Sequence, residues 1–172
     1  MNATLRLATP EDATALCTLA TDAFVHAFGH LYRAEDLDAF LAEHRTVGVY
    51  REEMADPGTR IALAEAGGVL AGYALIHWPS EFAPESDASR PLALHQLYCA
   101  PGMTGLGIGA ALMEWALGEA RALGCDAVQL SVWSENHAAQ RFYARYGFSK
   151  IADIGFMVGN QRDEEFLFEM RL

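Results

Sequence analysis

The 172-residue chain predicts a mixed α/β fold, and three observations carry that reading. Strand-like alternation and helix-like spacing succeed one another in the order β-ααα-ββ-β-α-β-α-β-β. Two glycine-bearing turns, Ala66-Gly67-Gly68 and Gly159-Asn160-Gln161, join consecutive strand-like runs as hairpins. A third glycine-rich stretch, Thr104-Gly105-Leu106-Gly107-Ile108-Gly109, separates a strand from a helix. Length and composition (52% hydrophobic, 20% charged) fit one globular domain over residues 1–172 with a sizeable core.

Each element has its own signal. Thr4–Ala8 alternates and reads as the first strand. Thr9-Pro10-Glu11-Asp12 opens a helix, with threonine as cap, proline in the first turn and two acids near the positive end of the dipole. That helix runs to about Phe28, where Gly29 stops it. Ala34–His44 is a second helix with Leu37, Phe40 and Leu41 on one face. Val47–Ala55 is a third, ended by Asp56-Pro57-Gly58. Arg60–Glu65 and Val69–Trp78 form a hairpin, and Pro79–Arg90 is a polar loop. Leu92–Cys99 is a strand closed by Ala100-Pro101-Gly102. Gly107–Leu123 is a helix burying Leu112, Trp115, Ala116 and Ala120, with Gly124 past its end. Ala127–Trp133 is a strand, Glu135–Tyr146 a helix stopped by Gly147, and Phe148–Val158 with Arg162–Arg171 the closing hairpin.

Composition excludes several classes. The net charge of −11 argues against a nucleic-acid surface, and no apolar run is long enough to span a bilayer. The amino-terminal Met1–Arg6 lacks the basic and apolar regions of a signal peptide, so a cytoplasmic location is expected. Cys17, Cys99 and Cys125 have no metal-like spacing and are expected to be reduced. The acidic excess is uneven. Residues 104–150 hold four acids and four bases, so the remainder carries 19 of the 23 acids and 8 of the 12 bases. A balanced segment tolerates a polyanion, and acidic surroundings attract a cation, although acidic surfaces also serve solubility alone.

The glycine turn at 104–109 opens a helix, where bare backbone N–H groups and the helix dipole favour a phosphate without help from lysine or arginine. A nucleotide P-loop would need Lys and Ser/Thr where Ile108 and Gly109 stand. A dinucleotide fingerprint matches Gly105, Gly107 and Ala110, but the acid that should end the next strand is missing there: Asp126 begins that strand instead. The stretch Leu97-Tyr98-Cys99-Ala100-Pro101 followed by Thr104–Leu112 resembles the strand, loop and helix of the GNAT N-acetyltransferases, whose signature is [Q/R]-x-x-G-x-[G/A]. Gly107 and Gly109 match it, while Thr104 replaces the usual Gln or Arg and removes a charge. Downstream, Asn136-His137-Ala138-Ala139-Gln140-Arg141-Phe142-Tyr143-Ala144-Arg145-Tyr146-Gly147-Phe148 is similar to the family's N-x-x-A-x-x-[FL]-Y-x-x-x-G-F block.

The resemblance implies a mostly antiparallel sheet of about seven strands flanked by helices, acetyl-CoA as co-substrate, and a primary amine of a small molecule or peptide as acceptor. It implies a coenzyme A site built from Leu97, Tyr98, Cys99, Thr104, Gly105, Leu106, Gly107, Ile108, Gly109, Asn136 and Tyr143. Backbone groups of Leu97 and Cys99 would serve the acetyl carbonyl and pantetheine arm, and Tyr143 would sit near the sulfur as a proton donor. As ordinary elements, Leu97, Cys99 and Tyr143 would pack in the core and Asn136 would cap a helix.

The base is less determined. Many relatives carry Glu on the strand before the loop, whereas this chain has Ala93-Leu94-His95-Gln96. His95 can take a proton directly or through a water chain ending on Glu81, Glu85 or a backbone carbonyl, and His77 is a further candidate. His26 and His30 stand four apart without a third ligand, so no metal site is expected. Asp163-Glu164-Glu165 reads as a solvated strand edge, and exposed edges at the closing hairpin would suit a homodimer. The segment Phe24–Leu41 would line the acceptor side. Its Phe28–Tyr32 and Glu35–Leu37 pieces are similar to a polyamine-acetylating branch. A non-catalytic coenzyme A sensor remains the alternative to an enzyme, and a nicotinamide-dependent oxidoreductase a third class.

Overall fold

The computed structural model describes residues 3–172; Met1 and Asn2, part of the stretch read for targeting, lie outside the described residues. The strands are β1 (Thr4–Leu7), β2 (Thr59–Ala66), β3 (Val69–His77), β4 (Pro91–Cys99), β5 (Ala127–Trp133), β6 (Ser149–Val158) and β7 (Gln161–Arg171). The helices are α1 (Ala13–Phe28), α2 (Ala34–His44), α3 (Val47–Ala55), α4 (Ile108–Ala122) and α5 (His137–Arg145). One seven-stranded sheet runs β1-β2-β3-β4-β5-β7-β6, antiparallel except for the β4–β5 pair. No described helix is long and apolar enough to cross a membrane, and the three cysteines are free.

Apolar side chains leave both faces of the sheet. On one face α4 lays Leu112, Met113, Ala116 and Ala120 against Ile76, Leu92, Leu94, Val128 and Leu130. On the other, Leu16, Leu19 and Ala20 of α1 and Tyr50 of α3 cover Ile61, Leu63, Tyr73 and Leu75. Each such Leu or Ile contributes about 1.5–3 kcal/mol by leaving water. A smaller cluster of Phe24, Phe40 and Val158 joins α1 and α2 to β6. The start of α4 sits close on β3: a Cβ at Gly72 would meet the Tyr98 carbonyl at 2.8 Å and Ile108 at 2.9 Å, so only glycine admits that approach.

Two elements begin two or three residues later than the sequence reading. Pro10–Asp12 forms a separate 3-10 turn before α1, because Asp12 accepts the Thr9 N–H at 2.8 Å and holds Arg6 at 2.7 Å. α5 starts at His137, since Glu135 lies in the turn before it and Asn136 is the cap. The acidic triplet is not a solvated edge. β7 lies between β5 and β6, and its alternation turns Asp163 (8% exposed) inward and Glu164 to solvent, with Glu165 partly buried. The exposed edges of the sheet are β1 and β6.

Candidate active site

A break in the sheet makes the site. β4 and β5 pair only from Pro91–Ala93 to Ala127–Gln129, after which the strands part. Six residues of β4 and four of β5 continue without each other, leaving a wedge with its closed end near Ala93. The register between β3 and β4 shifts between Leu75↔Gln96 and Ile76↔Leu94, so His95 is an extra residue in a β-bulge. The bulge reverses which face alternate side chains take. Leu92 and Leu94 face α4, as do Leu97 and Cys99, while Gln96 and Tyr98 face α1 and α3. Ala100 donates its N–H to Ala71 at 2.8 Å. By antiparallel alternation, Gln96 and Tyr98 bond to β3 while Leu97 and Cys99 turn their N–H and C=O groups towards the wedge. Tyr98 therefore presents its phenol, beside the Arg45 guanidinium, rather than its amide.

The glycine turn lies at the open end of the wedge. Met103 donates to Ala100 and Ala111 to Gly107, whereas the amides of 104–108 and 110 meet no backbone carbonyl among the described residues. The Gly109 N–H points at the Cys99 thiol, whose pKa burial raises. Gly107 caps α4 with φ of +82°, a conformation that disfavours side chains, and a Cβ at 102, 105 or 107 would meet nothing within 4 Å. Thr104, Gly105 and Leu106 are exposed, while Ile108 is buried beneath the turn. Unpartnered donors on an open helix start fit a diphosphate. Opposite them, Asn136 caps α5 by accepting the Ala139 N–H at 3.1 Å. Tyr143 is packed edge-on to Phe142 and Phe148, near Cys99 and Tyr98. Burial first, then these neighbours and Glu165, push its phenol well above 10, so it stays protonated.

Residues 14–148 match the acetyltransferase (GNAT) family. The chain belongs to the GNAT acetyltransferase family. An uncharacterized N-acetyltransferase of Mycobacterium bovis is 29% identical over 161 residues, 94% of this chain and 98% of its own. The PaiA N-acetyltransferase of Thermoplasma acidophilum, solved with coenzyme A, superposes with a TM-score of 0.81 at 19% identity over the whole of both chains. The Salmonella typhimurium acetyltransferase yncA, solved with acetyl-CoA, superposes at 0.68 with 22% identity over 100% and 95% of the two chains. The family is one of acyltransferases, and the GNAT fold accounts for the wedge and the turn together.

The face of this GNAT sheet under α1 and α2 carries groups the sequence reading missed. Phe28 meets Trp133 edge-on at 6.2 Å, and Tyr32 stacks on Phe24 at 6.1 Å. Tyr32 donates to Asp163 at 2.5 Å, and Ser131 donates to Glu165. Burial, reinforced by the charge of Asp163, raises the Glu165 carboxyl to about 7. Its charge in turn raises Tyr32, Tyr98 and Tyr143, which places it among the three phenols. Alternation was the available signal. Phe166, Phe168 and Met170 are one set of β7, so Asp163 and Glu165 belong to the other face. Asp36, within the stretch read as polyamine-like, is 6% exposed and accepts the Asn160 N–H at 2.8 Å, which pins the β6–β7 turn to α2.

His95 is on the α3 side of the bulge, its Nδ1 2.5 Å from Glu81. Glu85 is exposed in a separate 3-10 turn. His77 stacks on His95 with ring centres 4.3 Å apart and reaches Glu53 at 2.9 Å. Although burial opposes it, bonding to Glu53 and Glu81 holds the His77 imidazole up at about 9. His26 and His30 are both exposed, one on α1 and one in the following 3-10 turn.

Proposed function

We propose that this GNAT protein transfers the acetyl group of acetyl-CoA to a primary amine of a small cationic acceptor. The observation that carries the reading is the wedge itself, which has amide donors on one side and a carboxyl of pKa about 7 on the other. Acetyl-CoA supplies an activated acyl carbon on a thiol leaving group. The amides of 104–108 and 110 hold its diphosphate, and Leu97 and Cys99 offer backbone groups to the pantetheine arm and the acetyl carbonyl, where negative charge develops. Across the wedge from them, the side-chain nitrogen of Asn136 offers a further donor.

The acceptor enters beneath Phe28, Tyr32 and Trp133, where Asp163 and Glu165 favour a cation. An amine with an ordinary pKa near ~10.4 is an ammonium at neutral pH and must lose a proton before it attacks. Glu165 takes that proton. The new C–N bond forms as the C–S bond breaks, Tyr143 gives its proton to the departing sulfur, and the second proton of the attacking nitrogen passes to the Tyr143 phenolate to leave a neutral amide. Tyr143 is suited to that role because it remains protonated until a thiolate appears beside it. His95 is the second candidate for the base, favoured by its place at the closed end of the wedge and by its Glu81 partner. A protein amine is the less favoured acceptor beside small amines, given the enclosed aromatic wall of that face.

Incubation with acetyl-CoA and an amine panel, followed by free-thiol release, tests the reading. Release above background with at least one diamine or amino-acid-like amine is the expected result. Calorimetric binding of acetyl-CoA with no release for any amine would favour the sensor reading, and no binding would remove both.

A further inference from the structure

We propose that Glu53, His77 and His95, with Glu81 beside them, form a binding site for one divalent transition-metal ion, zinc being the best match. The site goes beyond acetyl transfer and does not rest on it. Its residues come from four separate pieces of chain: α3, the last residue of β3, the bulge in β4 and the loop after β3. One ligand atom from each of Glu53, His77 and His95 lies within 4.8 Å of the others. Glu81 reaches both imidazoles, 2.5 Å from His95 Nδ1 and 3.4 Å from His77 Nδ1.

The donor set selects the ion. Two imidazoles and carboxylates suit zinc and its first-row neighbours, whereas magnesium and calcium prefer oxygen alone. Ligands about 2.1 Å from a tetrahedral ion stand about 3.4 Å apart, so separations of up to 4.8 Å must close while the Glu53–His77 pair, 2.9 Å apart, must open slightly. Glu53 and His95 have the freedom to do so, with side chains 24% and 36% exposed. The β-bulge matters here. Alternation after Leu94 puts His95 on the α3 face beside His77, and the bulge lets it stand out from the ladder while Gln96 takes the place opposite Leu75.

Electrostatics and access agree. A cavity of about 590 Å³ opens onto Glu53, His77 and Glu81, and its wall adds Glu52 and Asp56 with no Lys or Arg. That wall attracts a cation and leaves room for a water or a small ligand at a remaining coordination position. An ion there ties α3 and the loop after β3 to the bulge beside the closed end of the wedge.

The test uses the full chain after treatment with a chelator. Zinc titration by calorimetry should give one ion per chain. Cobalt should produce the visible bands of a tetrahedral nitrogen–oxygen site without a thiolate charge-transfer band. E53Q and H77N should each weaken zinc binding by about tenfold or more, with circular dichroism confirming that both remain folded. If either fails to fold, H95N with the same readout replaces it. No saturable binding would overturn the proposal. So would binding unchanged in the folded variants, or a thiolate band, since each places the ion elsewhere. Neither readout needs acetyl-CoA, so failure of acetyl transfer and failure of the metal site are distinguishable.

Discussion

The carboxyl of Glu165 gives the sharpest prediction, because in the proposed mechanism one group sets both rate and stability. Moving a carboxyl from 4.5 to about 7 costs its anion on the order of 3 kcal/mol in the folded protein. The sign follows from the raised value. Below pH 4.5 the group is protonated in both folded and unfolded chains and adds no penalty. As pH rises through about 7 the folded protein must ionise a buried carboxyl, and the whole penalty applies above that. E165Q keeps the shape and the acceptor for Ser131, and it never ionises. It should match the wild type in stability at pH 4.5 and exceed it by up to about 3 kcal/mol at pH 8, read by urea unfolding at both values. Its kcat/KM should fall about a hundredfold or more. The wild-type profile should rise roughly tenfold from pH 6 to pH 8, as the base fraction climbs through half near 7, and E165Q should lose that limb. A variant that keeps the limb near pH 7 and most of its activity would refute the reasoning. If H95N alone loses the limb, the base is His95.

Three further outcomes check the other parts. Gly107→Ala forces a side chain into a φ of +82°, at about 1–2 kcal/mol of stability, and should weaken calorimetric binding of coenzyme A about tenfold or more because the new methyl group stands among the amide donors. Tyr143→Phe should lower kcat by about 10²-fold while leaving KM for acetyl-CoA nearly unchanged, since it removes a proton and little contact. Asn136→Ala removes the cap bond to Ala139 and should cost about 0.5–2 kcal/mol in denaturant unfolding, with weaker coenzyme A binding if its amide also serves the arm.

Local chemistry made most of the elements legible. The Asp56-Pro57-Gly58 stop and the turn at Gly159-Asn160 act within a few residues, and each places an element boundary near its expected position. The loop donors at 104–110 were legible for the same reason. The bulge at His95 was not, because register belongs to the pairing of β4 with β3 rather than to either strand alone. Without the bulge, the facing of Leu97 and Cys99 cannot be read from spacing. Glu165 was hidden by a different effect. Three consecutive acids look solvated until the strand order encloses them, and the enclosure comes from β7 entering between β5 and β6. Tyr143 was singled out by the resemblance, whereas its packing against Phe142 and Phe148 is visible only in the structure.

That insertion has a bearing on how the enzyme becomes active. Both neighbours of β7 precede it in the chain, and β6 has no partner in the sheet until β7 docks. A molecule in which β7 had not yet docked would keep α4 and its turn next to one another in the chain but would lack the wall and the carboxyl proposed to deprotonate an amine. Half-built molecules would therefore sequester the thioester without spending it, and turnover would report completed folding more faithfully than cofactor binding does.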